Sequence, residues 1–197
     1  MSKKKPYTPE DFPSTEQIRK ELHRVNYRHS FSKVLQSTIY ALITVAAVAV
    51  LVAVLLLPVL QIYGNSMEPA IHEGSIVLSV KGGRFKTGDI VAFYYNNKIL
   101  VKRVIAQAGQ WVDIDEAGNV FVDNQLVDEP YITEKAFGET NIELPYQVPE
   151  SRIFVMGDNR AVSVDSRNTA IGCVAEEQIV GKIVWCVWPF DSFGEIR

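Results

Sequence analysis

The sequence predicts a mostly β protein, in which an antiparallel β-sheet domain follows one N-terminal transmembrane helix. Two observations carry this prediction. The segment from Ile39 to Leu60 is uncharged and almost wholly apolar. After it come short β-rich segments separated by turn residues, without a long amphipathic helix pattern. The chain of 197 residues has room for one membrane segment and one domain of moderate size.

Residues 1–33 are polar and of mixed charge, and we expect them to form a flexible segment. Three prolines among the first thirteen residues should prevent a helix from beginning before Pro13. Ser14, followed three residues later by Gln17, could cap a short helix after that point.

Residues 34–60 are predicted to be a transmembrane anchor. The twenty-two residues from Ile39 to Leu60 are apolar except for Thr44. As a helix they would extend about 33 Å, enough to cross a bilayer core of about 30 Å. A helix packed on a soluble core would instead have a polar face. A cleaved signal peptide is the competing interpretation, but its apolar region spans about 7–15 residues and ends at small residues, which residues 55–63 do not offer.

The charges before the anchor predict its orientation. Under the positive-inside rule, residues 1–33 lie in the cytoplasm and residues 61–197 form an extracytoplasmic domain of a single-pass plasma-membrane protein. The basic residues that indicate this orientation are Arg19, Lys20, Arg24, Arg28 and Lys33.

The composition of the outer part excludes some kinds of site. Residues 61–197 carry twelve Lys or Arg against nineteen Asp or Glu. Nucleic-acid binding requires a basic face and is therefore not expected. Cys173 and Cys186 lack metal-ligand spacing and form no disulfide framework, so we expect two small buried side chains, with one disulfide left open. No metal or other cofactor is expected.

Seven segments after the anchor have the composition of β-strands. They are residues 75–80, 90–95, 99–105, 111–114, 120–122, 153–156 and 183–187, and we expect the last to close the sheet. Asn96-Asn97 predicts a hairpin because Asn accepts positive φ. Residues 128–150 are acidic and rich in turn residues, and are expected to form an excursion from the sheet.

A short stretch after the anchor, Gly64–Pro69, could hold a nucleophile. Gly64 and Asn65 tolerate unusual backbone angles, and Pro69 fixes its own. Ser66 therefore presents a small hydroxyl on a constrained loop at a membrane surface. A polar linker that leaves a membrane helix is the alternative interpretation.

A nucleophilic Ser66 would need a base. His72 is the only histidine in the outer part, but it lies on the same loop, and we expect it to be solvated. A lysine could serve if burial lowered its pKa from about 10.4 toward neutrality. Lys102 and Arg103 both have apolar neighbours on a predicted strand, and alternation does not choose between them. Arg cannot act as a base, whereas an exposed edge strand would leave neither residue with a catalytic role.

A third polar segment, residues 157–167, is dense in hydroxyl, carboxylate and guanidinium groups. Asp165 and Arg167 could pair across a tight loop and fix its backbone. Ser163 could then be directed at the lysine amine. An ordinary surface loop is the alternative.

Three boxes resemble the signature boxes of bacterial type I signal peptidases: GNSMEP at 64–69, VKRVIAQAG at 101–109 and GDNRAVSVDSR at 157–167. A weaker box, GDIVAF at 88–93, also matches, and the similarity extends from about Tyr63 to Lys182. The resemblance implies a membrane-bound serine endopeptidase that removes signal peptides from exported proteins. Its partners would be signal peptides and membrane lipid.

Residue by residue, the resemblance implies that Ser66 is the nucleophile and Lys102 the general base. It also implies that Ser163 orients the lysine, and that Asp165 and Arg167 support the site. Some relatives place a hydroxyl two residues before the nucleophile to help hold the oxyanion. That position is Gly64 here, so the Ser66 N–H is expected to carry more of this task.

The implied substrate is an extended peptide with small residues, typically Ala, at the first and third positions before the cut. Those two side chains point the same way into the protein. Strand addition would use the backbone of residues 61–65 and 99–102. Four apolar side chains nearby are candidates to line shallow pockets or, alternatively, to be ordinary core residues: Ile62, Met67, Ile71 and Val101.

Two other functions stay open at this point. A soluble, self-cleaving repressor-type Ser-Lys protease would use the same chemistry, but the anchor and the acidic outer part disfavour it. A non-catalytic anchored β module that binds peptides is disfavoured by the intact set of Ser66, Lys102 and Ser163.

Overall fold

The computed structural model describes residues 13–82 and 85–196 of the chain. The chain divides after Ala53 into an N-terminal helical unit and a C-terminal β unit.

One continuous helix, α1, runs from Thr15 to Leu56. It begins at a capping box, in which the Gln17 N–H donates to Ser14 Oγ at 3.3 Å and the Ser14 N–H donates to Gln17 Oε1 at 2.8 Å. By length and composition the helix is apolar enough to cross a membrane. Its outer surface is exposed throughout the described side chains.

The helix is longer at its start than the sequence indicates. Flexibility was predicted for residues 1–33, but residues 15–33 are helical, because the capping box starts the helix and neither Gly nor Pro interrupts it before Leu56. The two prolines before residue 13 lie outside the described residues. At its other end the helix stops before Pro58, which lacks an N–H, and the last residues assigned to the anchor already belong to a strand.

Twelve strands form the β unit within the described residues, and every strand pair is antiparallel. This architecture confirms the predicted fold class. The strands are β1 Val59–Gln61, β2 Ile76–Val80, β3 Ile90–Tyr95, β4 Lys98–Ala106, β5 Trp111–Ile114, β6 Val120–Val122, β7 Gln125–Leu126, β8 Tyr146–Gln147, β9 Arg152–Met156, β10 Val174–Ala175, β11 Ile179–Trp188 and β12 Gly194–Glu195.

The strands make two sheets. The larger has the order β1-β2-β11-β3-β4-β9-β10, with β12 paired to β11, and the smaller has the order β7-β6-β5-β8. The prediction that the last long strand closes the sheet was wrong. β11 pairs with β2 on one side and with β3 on the other, so it lies inside the sheet. Its composition indicates a strand but carries no information about its neighbours.

The excursion at residues 128–150 is irregular apart from β8, within the described residues. Beneath the sheets lie three apolar clusters, of which one supports the loop between β1 and β2. In that cluster, Ile62, Met67 and Ile71 pack with Val77 and Ile183. Both cysteines are buried and free, so the disulfide left open by the sequence is not formed.

Candidate active site

The β1–β2 loop and strand β4 bring Ser66 and Lys102 together. Lys102 Nζ and Ser66 Oγ are hydrogen-bonded at 2.6 Å. The lysine is 4% exposed, whereas Ser66 is half-buried and open to solvent. The loop turns tightly around the serine, because the Glu68 N–H donates to the Asn65 carbonyl at 3.2 Å and Gly64 adopts a φ of +85°.

Burial lowers the pKa of Lys102 from 10.5 to about 8. The Asp165 and Asp158 carboxylates oppose this change by raising the lysine pKa, and the Arg167 guanidinium adds to it. Desolvation is the largest effect because β4 is an inner strand, paired with β3 on one side and β9 on the other. The alternative of an exposed edge strand is therefore wrong.

Arg103 is buried on the opposite face of β4 and is 1% exposed. Its guanidinium donates two hydrogen bonds to the Asp158 carboxylate, at 2.8 and 2.7 Å, and one to the Gly88 carbonyl at 2.8 Å. It also lies over the Tyr131 ring, 3.9 Å from the centroid. A guanidinium held in this way fixes the Asp158 loop and cannot take up a proton.

The loop after β9 contacts the backbone of Ser66. The Asn159 N–H donates to the Ser66 carbonyl at 3.1 Å. A Cβ at Gly157 would overlap Ser163 Oγ and stand 2.5 Å from the Ser66 carbonyl oxygen, so only glycine allows this approach. Ser163 Oγ is buried and has no hydrogen-bond partner among the described residues, and no bond joins it to Lys102.

Asp165 and Arg167 form the pair that their spacing suggested. Arg167 donates to Asp165 through Nε at 2.8 Å and through a terminal nitrogen at 2.9 Å. The carboxylate also accepts the Gly157 N–H at 2.9 Å, while the guanidinium donates to the Phe137 carbonyl at 2.8 Å. Together they fasten the loop to β9 and to the excursion.

Sequence reasoning did not single out a further buried pair, Arg160 with Glu129. Both are fully buried, and Arg160 also donates from Nε to the Gly157 carbonyl at 3.0 Å. Arg160 lies within the polar segment at residues 157–167. Its partner Glu129 is one of several acidic residues in the excursion, and nothing in the sequence indicates which of them is buried. Tyr131 and Asp158 were also missed, because their contacts with Arg103 join segments that are far apart in the sequence.

A groove of about 750 Å³ leads to Ser66 and Lys102 between the end of β1 and the start of β4. Of the four predicted lining residues, Ile62, Met67 and Val101 lie along it. Ile71 does not, and that prediction was wrong. A turn that joins the Ile71 N–H to the Met67 carbonyl at 2.9 Å puts Ile71 into the core below the loop. Lining residues that were not predicted are Leu60, Gln61, Tyr63, Asn97, Lys98, Ile99 and Leu100.

His72 and Gly64 stand at the edge of the site. His72 is exposed and lies 3.7 Å from the Glu68 carboxylate, as expected for a solvated loop residue. The Gly64 N–H donates to Glu73 Oε1 at 3.2 Å, and the space that a Cβ would occupy at Gly64 is open. Within the described residues, no group of three or more His, Cys, Asp or Glu could hold a metal ion.

Comparisons with known proteins identify the family of the chain. The model of a family described as "Signal peptidase, peptidase S26" matches residues 35–188. The chain is 32% identical to signal peptidase I of Bacillus licheniformis over 165 residues, which cover 77% of this chain and 88% of that protein. It is 35% identical to signal peptidase IB of Staphylococcus aureus (strain N315) over 152 residues, covering 67% and 78%. The resemblance drawn from the sequence boxes is thereby confirmed.

A crystal structure of a signal peptidase I from Enterococcus faecalis V583 is also similar, with a TM-score of 0.42 and 24% identity. The similarity covers 51% of this chain and 97% of that chain.

Proposed function

Since the chain belongs to the signal peptidase family, peptidase S26, we propose that it removes N-terminal signal peptides from exported proteins with Ser66 as nucleophile and Lys102 as general base. As a member of that family the chain is a serine endopeptidase. The observation that carries the residue assignment is the 2.6 Å contact between Lys102 Nζ and Ser66 Oγ. A hydroxyl and a buried amine at this distance can exchange a proton directly.

In the proposed reaction, Ser66 Oγ attacks the scissile carbonyl while the neutral Lys102 amine takes the hydroxyl proton. The resulting ammonium gives that proton to the leaving amine, which departs as the new N-terminus of the mature protein. The acyl group remains on Ser66 as an ester. Lys102 then takes a proton from the water that attacks the ester and returns it to Ser66 Oγ as the acyl–oxygen bond breaks. The signal peptide leaves as a carboxylic acid, and the serine hydroxyl and the neutral amine are restored.

The pKa of Lys102 supports this role. With a pKa of about 8, about a quarter of the lysine is neutral at pH 7.5, whereas at 10.5 only about one part in a thousand would be. The hydrophobic walls of the groove and the inner position of β4 cause the change, so no histidine is needed.

Three residues of the loop after β9 are proposed to support the dyad. Ser163 would orient the Lys102 amine. Its hydroxyl is buried and has no hydrogen-bond partner within the described residues, so it is available to bond to that amine. Asp165 and Arg167 would hold Ser163 and Gly157 in position through the hydrogen bonds that they make to this loop.

The developing oxyanion is proposed to be held by the backbone N–H of Ser66. Among the described residues this N–H makes no other hydrogen bond. Gly64 offers no hydroxyl, and its own N–H is directed to Glu73.

The groove is the proposed site for the signal peptide before the cut. Ile62, Met67 and Val101 give it an apolar lining suited to small residues, and the segments on either side can pair with an extended chain. Ile71 has no part in this lining.

Helix α1 is proposed to anchor the enzyme in the plasma membrane, in contact with lipid. The basic residues on its first half favour a cytoplasmic N-terminus and an extracytoplasmic β unit. Exposed aromatic side chains near the C-terminus also suit a lipid–water interface: Trp185, Trp188, Phe190 and Phe193.

The test is cleavage of a synthetic preprotein by the full-length protein in detergent. Wild type should release the signal peptide, and Ser66→Ala should release none while keeping the wild-type melting temperature. Ser79→Ala is a matched control, because its hydroxyl bonds only to Pro58 outside the site. Cleavage that survives Ser66→Ala would overturn the assignment, and absence of cleavage by wild type would favour a peptide-binding module.

A further inference from the structure

A second cavity, of about 260 Å³, lies beside the nucleophile. From the nucleophile loop, residues up to Met67 line the groove, whereas residues from Glu68 onward line this cavity. Its walls come from three segments: the nucleophile loop, the loop after β9 and the excursion. The side chains that define it are Glu68, His72, Thr133, Glu134, Asn159 and Ala161.

Ser66 contacts a residue of the second cavity through its backbone. It lines the groove, and its carbonyl accepts the 3.1 Å hydrogen bond from Asn159, which lines the second cavity. A substrate whose residues before the cut occupy the apolar groove has to continue past Ser66 Oγ with the residues that follow the cut. Because Glu68 is two residues after Ser66 and Asn159 bonds to the Ser66 carbonyl, the residues that follow the cut are the ones placed to enter this cavity.

We propose that the second cavity is the subsite for the first residues after the cut and that it favours basic over acidic side chains there. The inference rests on the proposed function, because it takes Ser66 to be the reacting residue. It adds a preference on the mature side of the substrate, separate from the small residues expected before the cut.

The charges around the cavity carry the preference. Glu68 and Glu134 present carboxylates at its surface, and no Lys or Arg of the described residues lines it. Asp158 also contributes to the wall, but its two hydrogen bonds to Arg103 compensate its charge. Lys135, next to Glu134, donates instead to Asn119 Oδ1 at 2.8 Å.

His72 also lines the cavity and lies 3.7 Å from the Glu68 carboxylate. It is exposed, as is Glu134. The preference is measured at about pH 8, where about half of Lys102 is neutral.

The wall contributed by the excursion is firmly held. Glu129 pairs with Arg160, and the Phe137 carbonyl accepts a 2.8 Å hydrogen bond from Arg167. Thr133 and Glu134 lie between these two attachments. The excursion therefore has a defined position beside Ser66, as a subsite wall requires.

The experiment measures kcat/KM for two peptides that differ only in carrying Lys or Glu at the first two positions after the cut. Wild type should prefer the Lys peptide, and Glu68→Gln and Glu134→Gln should each reduce the ratio by about threefold, the size expected of a partly exposed charge pair. The double variant should bring the ratio close to one. Glu116→Gln, at an exposed turn between β5 and β6, removes the same charge outside the cavity and should leave the ratio unchanged.

A ratio that stays at the wild-type value in the double variant would overturn the inference while leaving the proposed function intact. An equal fall in Glu116→Gln would also overturn it, because the effect would then come from net charge. If neither wild type nor any variant cleaves either peptide, the result would instead count against the proposed function. Binding of the same peptides to Ser66→Ala, with and without the two glutamate substitutions, tests the charge preference without turnover and should show the same loss.

Discussion

Lys102 and Arg103 are consecutive residues of one strand, and both are almost completely buried, on opposite faces of the sheet. The two side chains have different partners. The Arg103 guanidinium is paired with the Asp158 carboxylate, which balances its charge. Lys102 is instead hydrogen-bonded to the neutral Ser66 hydroxyl, and burial lowers its pKa to about 8. The buried part of the strand thus holds one fixed cation, Arg103, and one amine of lowered pKa, Lys102.

Replacing Lys102 by Arg should abolish cleavage although it keeps the charge. A guanidinium does not release its proton at accessible pH, so Ser66 would have no base, and the rate should fall by at least about a thousandfold. Lys81→Arg, at an exposed position just after β2 and outside the groove, is the matched control and should keep the wild-type rate. The measurement is single-turnover cleavage of a preprotein, and substantial activity in Lys102→Arg would exclude the lysine base.

The rate should follow the titration of Lys102. Because the amine must be neutral, kcat/KM should rise about tenfold per pH unit below about 8 and level off above it. The measurement is a pH series with a peptide that carries no charged residue beside the cut. A rate that falls between pH 6 and pH 8 would contradict the assignment.

The same pKa has a consequence for stability. The folded-state pKa of about 8 lies below the unfolded value of 10.5, so between these pH values the unfolded chain binds the additional proton. The free energy of unfolding should rise through this window, and below pH 8 the buried charge costs about 3 kcal/mol. Lys102→Met should therefore be inactive yet more stable than wild type at pH 7.

The difference in unfolding free energy between Lys102→Met and wild type isolates this residue from other titrating groups. It should be largest near pH 7 and should shrink by about pH 10, followed by tryptophan fluorescence in detergent. If the difference is independent of pH, the folded-state pKa of Lys102 is not lowered.

How far the site follows from the sequence depends on the range of each interaction. Ser66 and Lys102 could be predicted because each has a local signal: a constrained turn after an apolar segment, and a lysine among apolar strand neighbours. Asp165 and Arg167 are two residues apart, so their pairing is also local. Glu129 and Arg160 are 31 residues apart and are joined only by the fold.

The position of β11 and the burial of Ile71 could not be predicted for related reasons. A strand's alternation reports its faces and says nothing of which strands pair with its edges, so β11 could equally have closed the sheet. Ile62 and Ile71 have the same chemistry, and only the turn after Met67 separates a groove residue from a core residue.

Ser163→Ala should lower activity without lowering stability. Its hydroxyl is buried and makes no hydrogen bond among the described residues, so its removal relieves an unsatisfied polar group. If it orients Lys102, kcat should nevertheless fall by about tenfold to a hundredfold, with KM nearly unchanged.

Ser166→Ala provides the contrast within the same loop. Its hydroxyl accepts the Val155 N–H at 2.9 Å and donates to the Gly172 carbonyl at 2.8 Å, so its loss should cost about 1–3 kcal/mol of stability. Melting temperatures and kcat of both variants separate the two roles. A Ser163→Ala enzyme with full kcat would show that this hydroxyl does not position the base.

The width of the groove should set the residue accepted before the cut. Shortening Ile62 or Val101 to Ala removes side chains that line the groove, and deeper pockets should accept Val or Leu better relative to Ala. One or two methylene groups of extra space correspond to about 1–3 kcal/mol, or about tenfold to two hundredfold in the ratio of kcat/KM values. The assay uses three peptides that carry Ala, Val or Leu at the position before the cut.

Ile71→Ala is the matched control for this experiment. Ile71 is as buried and as apolar as Ile62, but it packs in the core below the loop and does not line the groove. Its truncation should cost about 2–5 kcal/mol of stability and leave the preference for Ala unchanged. If Ile71→Ala broadens the preference as much as Ile62→Ala does, the change arises from loosening of the nucleophile loop. If neither Ile62→Ala nor Val101→Ala changes the preference in a folded enzyme, the pocket before the cut lies elsewhere in the groove.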